Sequence, residues 1–165
     1  MTRHFLTLKD QSTSELVALI QRAIALKKDP TGPQTAKLMR LRTMVLIFEK
    51  SSTRTRTSFE VACAHLGGSS IFLSPTDSQM SRGESVSDTA RIVSSMADLI
   101  VMRTSEHSRV CTMAEHSAVP VINALSEDFH PCQLLADLQT FFEFRGNIQG
   151  ARAAFVGDGS SNVCQ

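Results

Sequence analysis

From residue 44 onward, short apolar runs alternate with longer segments in which apolar residues recur at the spacing of a helix. A strand, a helix and a further strand in this order are typical of the βαβ unit, whose strands are parallel. The pattern therefore predicts an α/β fold, a parallel sheet flanked by helices on both faces in three layers. The predicted strands are residues 44–48, 71–73, 99–102, 119–122 and 153–156, and the predicted helices between and after them are residues 54–66, 85–97, 106–117 and 131–145.

Composition and charge exclude several classes of protein. The chain has 165 residues, which fits one domain of ordinary size. Lys and Arg number 17 against 16 Asp and Glu, a formal net charge of +1, so a surface for nucleic acid is not expected. The longest apolar run, at residues 44–48, is far shorter than the roughly 18–20 residues that cross a bilayer, and the first residues lack the apolar stretch of a secretory signal. We predict a cytoplasmic protein with neither membrane nor nucleic acid as a partner.

The four cysteines give no sign of a disulfide framework or a metal site. Cys63, Cys111, Cys132 and Cys164 are widely and irregularly spaced, and none forms a C-x-x-C pair. The sequence therefore predicts reduced thiols and no zinc site.

Hydroxyl and guanidinium groups are concentrated in residues 49–56, between the first predicted strand and the helix that follows it. The start of a helix offers unpaired backbone N–H groups and the positive end of the helix dipole, both of which favour a phosphate. Arginine can also grip phosphate oxygens with two hydrogen bonds at once. The alternative is a capped helix in which Arg56 pairs with Glu60 one turn along. The candidate anion ligands are Ser52, Thr53, Arg54, Thr55 and Arg56.

Two further groups of polar side chains follow predicted strands. Arg103 comes directly after one strand, and His130 and Gln133 lie around the start of the last predicted helix. Because ligands of parallel sheets bind at the carboxyl ends of the strands, these side chains are expected near the hydroxyl-rich segment. A histidine can donate to a carbonyl oxygen, and a glutamine can both donate and accept. The alternatives are a histidine that caps its own helix and a surface ion pair between Arg103 and Glu106.

Two segments of the chain resemble the signatures of one enzyme family. Residues 48–60, Phe-Glu-Lys-Ser-Ser-Thr-Arg-Thr-Arg-Thr-Ser-Phe-Glu, are similar to the carbamoyl-phosphate signature of the aspartate/ornithine carbamoyltransferases. Residues 129–138, Phe-His-Pro-Cys-Gln-Leu-Leu-Ala-Asp-Leu, resemble the second signature of that family in its ornithine version. Aspartate enzymes usually carry Pro where Ser51 stands here. Further similarity follows in the same order at residues 88–91 and 101–103.

The resemblance implies a reaction in which ornithine attacks carbamoyl phosphate to give citrulline and phosphate, as in arginine biosynthesis or the urea cycle. It implies neither a metal nor an organic cofactor, because the phosphate leaving group is already activated. The roles that it implies are phosphate binding by Ser52, Thr53, Arg54 and Thr55, polarisation of the carbamoyl oxygen by Arg103 and His130, and binding of the carbamoyl NH₂ group by Gln133, with Arg54, Arg103 and His130 as the catalytic residues.

The resemblance also implies a trimer and a second domain. Members of the family complete the active site across a homotrimer interface, and Gln79 matches the position that reaches into the neighbouring site, with a solvated loop residue as the alternative. We expect residues 1–150 to form the carbamoyl-phosphate-binding domain and residues 151–165 to begin the ornithine-binding domain, where Asn162 matches an ornithine contact. The rest of that domain is absent from this chain, so the chain alone is expected to be inactive.

Two other functions stay open at this point. The same enzyme class includes transfer to putrescine or aspartate, and the loops that select the acceptor lie beyond residue 165. Only residues 50–52 and 129–133 favour ornithine. A function of another class is that of a non-catalytic phosphate-binding domain, which would keep the anion site and form no product.

Overall fold

Four parallel strands form the sheet, in the order β2-β1-β3-β4. The computed structural model describes residues 2–74, 76 and 78–164. In chain order the strands are β1 (Thr43–Phe48), β2 (Ser69–Leu73), β3 (Leu99–Arg103) and β4 (Val121–Leu125). The register places Phe48 opposite Arg103. The segments that follow β1 and β3 therefore leave the sheet side by side.

Five α-helices flank these strands in the part of the chain that the structure describes. At the start of the first helix, Ser12 and Glu15 form the capping box that their spacing predicts, with each side chain accepting from the other residue's backbone N–H. Two short 3₁₀ helices lie at Thr35–Lys37 and Gln79–Arg82. The α-helices are α1 (Thr13–Lys28), α2 (Thr53–His65), α3 (Val86–Ser94), α4 (His107–His116) and α5 (Pro131–Arg145).

Helices cover both faces of the sheet, which confirms the predicted three-layer α/β fold. On one face, Ile47 and Ile100 pack in a cluster with Met113 of α4. On the other face, Leu46 packs in a second cluster with Cys63 of α2. Alternate strand residues point to opposite faces, so β1 needs an apolar residue at almost every position, and its last five residues are all buried. Helices α1 and α5 pack against each other, and α5 also contacts β4.

The carboxy-terminal segment differs from the prediction. The apolar run at residues 153–156 predicts a fifth strand, but the structure has no strand there. Phe155 and Val156 are 58% and 96% exposed, and an extended segment needs a neighbouring strand to accept and donate its backbone hydrogen bonds. The division between residues 1–150 and 151–165 stays a prediction.

None of the described helices combines the length and the apolar character that a membrane span requires.

Candidate functional site

The start of α2 lies directly beyond β1 and presents hydroxyl groups at the carboxyl edge of the sheet. Ser52 is the N-cap residue, and its Oγ accepts from the Thr55 backbone N–H at 3.4 Å. The same hydroxyl donates to Thr55 Oγ1 at 2.9 Å. Thr53 is exposed one residue into the helix. These side chains surround the positive end of the helix dipole, as an anion site requires.

The two arginines of this segment have different surroundings. Arg56 Nε donates to Glu60 Oε1 at 3.0 Å, and its guanidinium lies 3.6 Å from the centre of the Phe72 ring. The capped-helix alternative is therefore correct for Arg56, which is engaged along its own helix. Arg54 is exposed and forms no ion pair within residues 2–74, 76 and 78–164. Of the two, Arg54 is the guanidinium available to a ligand.

Arg103 ends β3 and reaches toward α2. Its Nη1 donates to Thr55 Oγ1 at 3.3 Å, which joins the second predicted group of residues to the first. Its Nε is buried and has no hydrogen-bond partner among the described residues. Burial lowers the pKa of the guanidinium. Among those residues Arg103 also makes no ion pair with Glu106, so the surface-pair alternative is wrong.

His130 occupies the N-cap position of α5, and its side chain makes no capping hydrogen bond. The alternative of a histidine that caps its own helix is therefore wrong. Its Nδ1 is buried without a partner in the described part of the chain. Burial, followed by the nearby charge of Arg103, lowers the pKa of His130, while Asp137 opposes the shift. His130 is therefore neutral at neutral pH, and it belongs to the same edge as Arg103.

The three remaining candidates each form a hydrogen bond of their own. Gln133 is exposed in the first turn of α5 and donates to Asp137 Oδ1 at 3.0 Å. Asn162 Nδ2 donates to the Ser126 carbonyl at 2.9 Å, which holds it near the β4–α5 connection. Gln79 begins a 3₁₀ helix, is exposed, and accepts from Arg82 at 3.5 Å. The structure thus joins the hydroxyls of α2 with Arg103 and His130, and leaves Gln79 outside that group.

Cys132 lies two residues beyond His130 and has a different character. Its Sγ is 3.5 Å from the Asn123 carbonyl oxygen, to which it donates. Burial raises the pKa of the Cys132 thiol to about 12. A thiol that stays protonated is neither a nucleophile nor a metal ligand. Cys132 therefore lies beside His130 as a protonated thiol.

Sequence reasoning missed a polar network on the other side of the same strand ends. Glu49 accepts from Thr104 Oγ1 and from Arg109 Nε, the latter at 2.8 Å. Glu49 stands in the segment that we examined, but its partners are 55 and 60 residues away. No local pattern indicates such a pairing. Across the described residues, no group of three or more His, Cys, Asp or Glu side chains is placed to hold a metal ion.

Residues 3–143 match the family model described as the aspartate/ornithine carbamoyltransferase carbamoyl-phosphate-binding domain. The chain belongs to this family. The resemblance inferred from residues 48–60 and 129–138 is thereby confirmed, as is its assignment to the carbamoyl-phosphate-binding domain.

Two curated relatives of the chain are named ornithine carbamoyltransferase. The chain is 55% identical over 162 residues to the ornithine carbamoyltransferase of Hydrogenovibrio crunogenus, an alignment that covers 98% of this chain and 53% of the relative. The chain is 56% identical over 165 residues to the ornithine carbamoyltransferase of Methylococcus capsulatus, and this alignment covers 99% of this chain and 53% of the relative. The chain therefore spans about half the length of the curated relatives that it matches.

Solved structures of the family share the fold. The ornithine carbamoyltransferase of Thermus thermophilus superposes with a TM-score of 0.88 at 36% identity, over 96% of this chain and 54% of that one. The anabolic ornithine carbamoyltransferase of Campylobacter jejuni superposes with a TM-score of 0.80 at 49% identity, over 87% of this chain and 46% of that one. The carbamoyltransferases thus contain the same α/β domain within a longer chain.

Acidification is expected to destabilise the fold between about pH 7.5 and about pH 5.5. Burial lowers the pKa of His4, His107 and His130 from the ordinary value of 6.5. Below 6.5 the unfolded chain takes up protons that the folded chain refuses, so stability present above that pH is lost as pH falls through the folded-state pKa values. Thermal unfolding should show a lower midpoint at the acidic end.

The carboxylates with lowered pKa values do not contribute to the difference in thermal midpoint between about pH 7.5 and about pH 5.5. The pKa values of Asp88 and Asp98 are lowered from 3.8, so their contributions are lost only in stronger acid. A His107→Gln variant should show a smaller difference between the two pH values. Equal midpoints for the unsubstituted chain at both pH values would contradict the lowered pKa values of these partly buried histidines.

Proposed function

We propose that this chain binds carbamoyl phosphate at the carboxyl edge of its sheet, as the carbamoyl-phosphate-binding part of an ornithine carbamoyltransferase. One observation carries the proposal: Arg103 Nε and His130 Nδ1 are buried without partners among the described residues, beside the start of α2. Buried polar atoms in folded proteins nearly always have a hydrogen-bond partner. Two such atoms at one edge, next to an unpaired Arg54, support a ligand that brings both anionic and carbonyl oxygens.

In the proposed reaction, the δ-amino nitrogen of ornithine attacks the carbamoyl carbon. A C–N bond forms, the C–O bond to phosphate breaks, and the proton that the amine loses passes to the leaving phosphate, so that citrulline and hydrogen phosphate separate. Negative charge grows on the carbamoyl oxygen, where Arg103 and His130 donate hydrogen bonds and stabilise the transition state. Because its lowered pKa keeps His130 neutral, it serves as a donor without repelling Arg103. The residues proposed to hold the phosphate are Ser52, Thr53, Arg54 and Thr55.

The carbamoyl NH₂ group is proposed to meet Gln133. The Gln133 side chain lies in the first turn of α5, one turn beyond His130, and its Nε2 is engaged by Asp137. That hydrogen bond leaves Gln133 Oε1 free of Asp137, and an amide oxygen accepts from an NH₂ donor. Together, Arg103, His130 and Gln133 would hold the carbamoyl group flat against the edge of the sheet.

The acceptor and the assembly belong to the proposal as well. Relatives that are 55% and 56% identical to this chain over about half of their own length are named ornithine carbamoyltransferase, which favours ornithine over putrescine or aspartate. Asn162 is proposed as an ornithine contact, and Gln79 as a residue that reaches a neighbouring subunit in a homotrimer. We place the reaction in the cytoplasm, in arginine biosynthesis or the urea cycle, with neither metal nor organic cofactor.

Calorimetry with two ligands tests the proposal. We expect the chain to bind carbamoyl phosphate about tenfold more tightly than inorganic phosphate, since the carbamoyl group adds neutral hydrogen bonds that contribute ~1 kcal/mol each after losses. Arg103→Met keeps the apolar stem of the side chain and removes its donors. That variant should keep only part of this preference, because His130 and Gln133 still contact the carbamoyl group.

Two outcomes would contradict the proposal in different ways. Equal affinity of the unsubstituted chain for both ligands would favour the non-catalytic phosphate-binding domain. If the chain binds neither ligand, the assignment of an anion site to this edge of the sheet is wrong.

A further inference from the structure

The network of Glu49, Thr104 and Arg109 lies at the same strand ends as the candidate site, on the opposite face of the sheet. Arg103 sends its side chain to Thr55 on α2, whereas the next residue, Thr104, donates to Glu49 Oε2. Arg109 comes from α4, a helix of the other face. No proposed ligand contact involves these three residues, so the role of the network is not explained by the site itself.

The contacts of Glu49 are unusually complete for a loop residue. Arg109 Nε and Nη2 both reach Glu49 Oε1, at 2.8 and 2.6 Å. The other carboxylate oxygen accepts from Thr104, which is fully buried. The Glu49 backbone N–H donates to the Arg103 carbonyl at 2.8 Å. The end of β1 is thus fastened to the end of β3 and to α4 at once.

Glu49 is also next to the ligand-binding segment along the chain. Three residues, 50–52, separate it from the first residue of α2. A displacement of Glu49 would shift residues 50–52 and the start of α2, whereas Arg103 is also held by its strand pairing with Phe48 and Leu125. A network that fixes Glu49 sets the separation between Arg103 and the α2 hydroxyls.

We propose that Arg109 is a positioning residue that acts through Glu49 to hold the segment 50–52 and Arg103 in the arrangement that binds carbamoyl phosphate. This inference rests on the proposed function. Arg109 touches no ligand in the proposal; it neutralises and orients the Glu49 carboxylate, which fastens both strand ends. Misplacement of binding groups by a fraction of an ångström weakens a preorganised site strongly, even when the substitution is remote from the ligand.

The test measures the affinity of Arg109 and Glu49 variants for carbamoyl phosphate. Arg109→Gln is expected to weaken binding about tenfold. Arg109→Lys keeps the charge and one N–H donor to Glu49 and should recover to within about threefold of the unsubstituted chain. Glu49→Gln should lose about as much affinity for carbamoyl phosphate as Arg109→Gln. Because the two residues act as one unit, the double variant should bind no more weakly than either single variant.

A matched control separates positioning from general stability. Arg42 forms a similar cross-element pair with Asp98 at the other end of β1 and β3. Arg42→Gln should lower the thermal midpoint with binding unchanged within about twofold. Arg109 is 34% exposed and borders a cavity of about 240 Å³, so a smaller side chain there leaves the core intact. If Arg109→Gln still fails to fold, the affinity of Glu49→Gln for carbamoyl phosphate tests the positioning role instead.

The outcomes distinguish this inference from the proposed function. If the unsubstituted chain does not bind carbamoyl phosphate, the proposed function fails and the positioning role fails with it. If it binds, but folded Arg109→Gln or Glu49→Gln binds equally well, only the positioning role is overturned. Losses that multiply in the double variant, or an equal loss in Arg42→Gln, also overturn it.

Discussion

Arg54→Ala is expected to weaken carbamoyl phosphate binding by about 2–4 kcal/mol, a factor of about 30 to 700. In the structure, Arg54 stands exposed at the start of α2, and it has no ion pair among the described residues. A guanidinium in that position can meet a phosphate with two charge-assisted hydrogen bonds. Truncation removes both bonds and leaves the anion with the helix dipole and the hydroxyls alone.

The measurement is calorimetry on the folded variant, with a second arginine as its control. Arg22 is exposed on α1, remote from the strand ends, so Arg22→Ala should bind within about twofold of the unsubstituted chain. The control removes the same charge from the protein as a whole. If Arg54→Ala binds like the unsubstituted chain, Arg54 is not a phosphate ligand, and the anion site has been assigned to the wrong arginine.

Leu46→Ala is expected to cost about 3–5 kcal/mol of unfolding free energy. Leu46 is 0% exposed in the middle of β1, which pairs with strands on both sides. It packs with Phe48 and Val101 against the α2 face. The strands and α2 are fixed by many other contacts and cannot collapse into the space, so a cavity adds to the lost burial.

Denaturant unfolding followed by circular dichroism at a helix wavelength checks this value. Leu41→Ala is the matched control, because Leu41 is 89% exposed. Its φ of 62° is as unfavourable for alanine as for leucine, so the backbone contribution cancels. The control should change stability by less than about 0.5 kcal/mol. A Leu46→Ala cost near that of the control would mean that β1 is not the centre of the core.

The elements that sequence reasoning located well are those with strong local boundaries. Helix α5 runs from Pro131 to Arg145 as predicted, because proline suits the first turn and Gly146 adopts a positive φ of 80° just beyond the end. β2 begins two residues earlier than the apolar pattern, at Ser69. It is an edge strand, and its exposed serines carry no apolar signal, although they pair with β1.

The candidate site was predictable to the extent that topology determines it. Parallel strands end at one edge, so residues following β1 and β3 had to meet, and Thr55 and Arg103 do. Sequence reasoning offered both Arg54 and Arg56 as anion ligands and left open the alternative that Arg56 pairs with Glu60. The difference between the two arginines depends on Phe72 of β2, whose ring receives the Arg56 guanidinium. It also depends on tertiary packing that no spacing within residues 49–56 encodes.

The raised pKa of the Cys132 thiol has a practical consequence. A histidine and a cysteine two residues apart invite comparison with the dyads of thiol enzymes. With its pKa raised to about 12, however, the thiol stays protonated at neutral pH. Alkylating and oxidising reagents will therefore find the exposed Cys111 and Cys164 instead. Because Cys164 lies two residues from Asn162, Cys111 of α4 is the better position for a label.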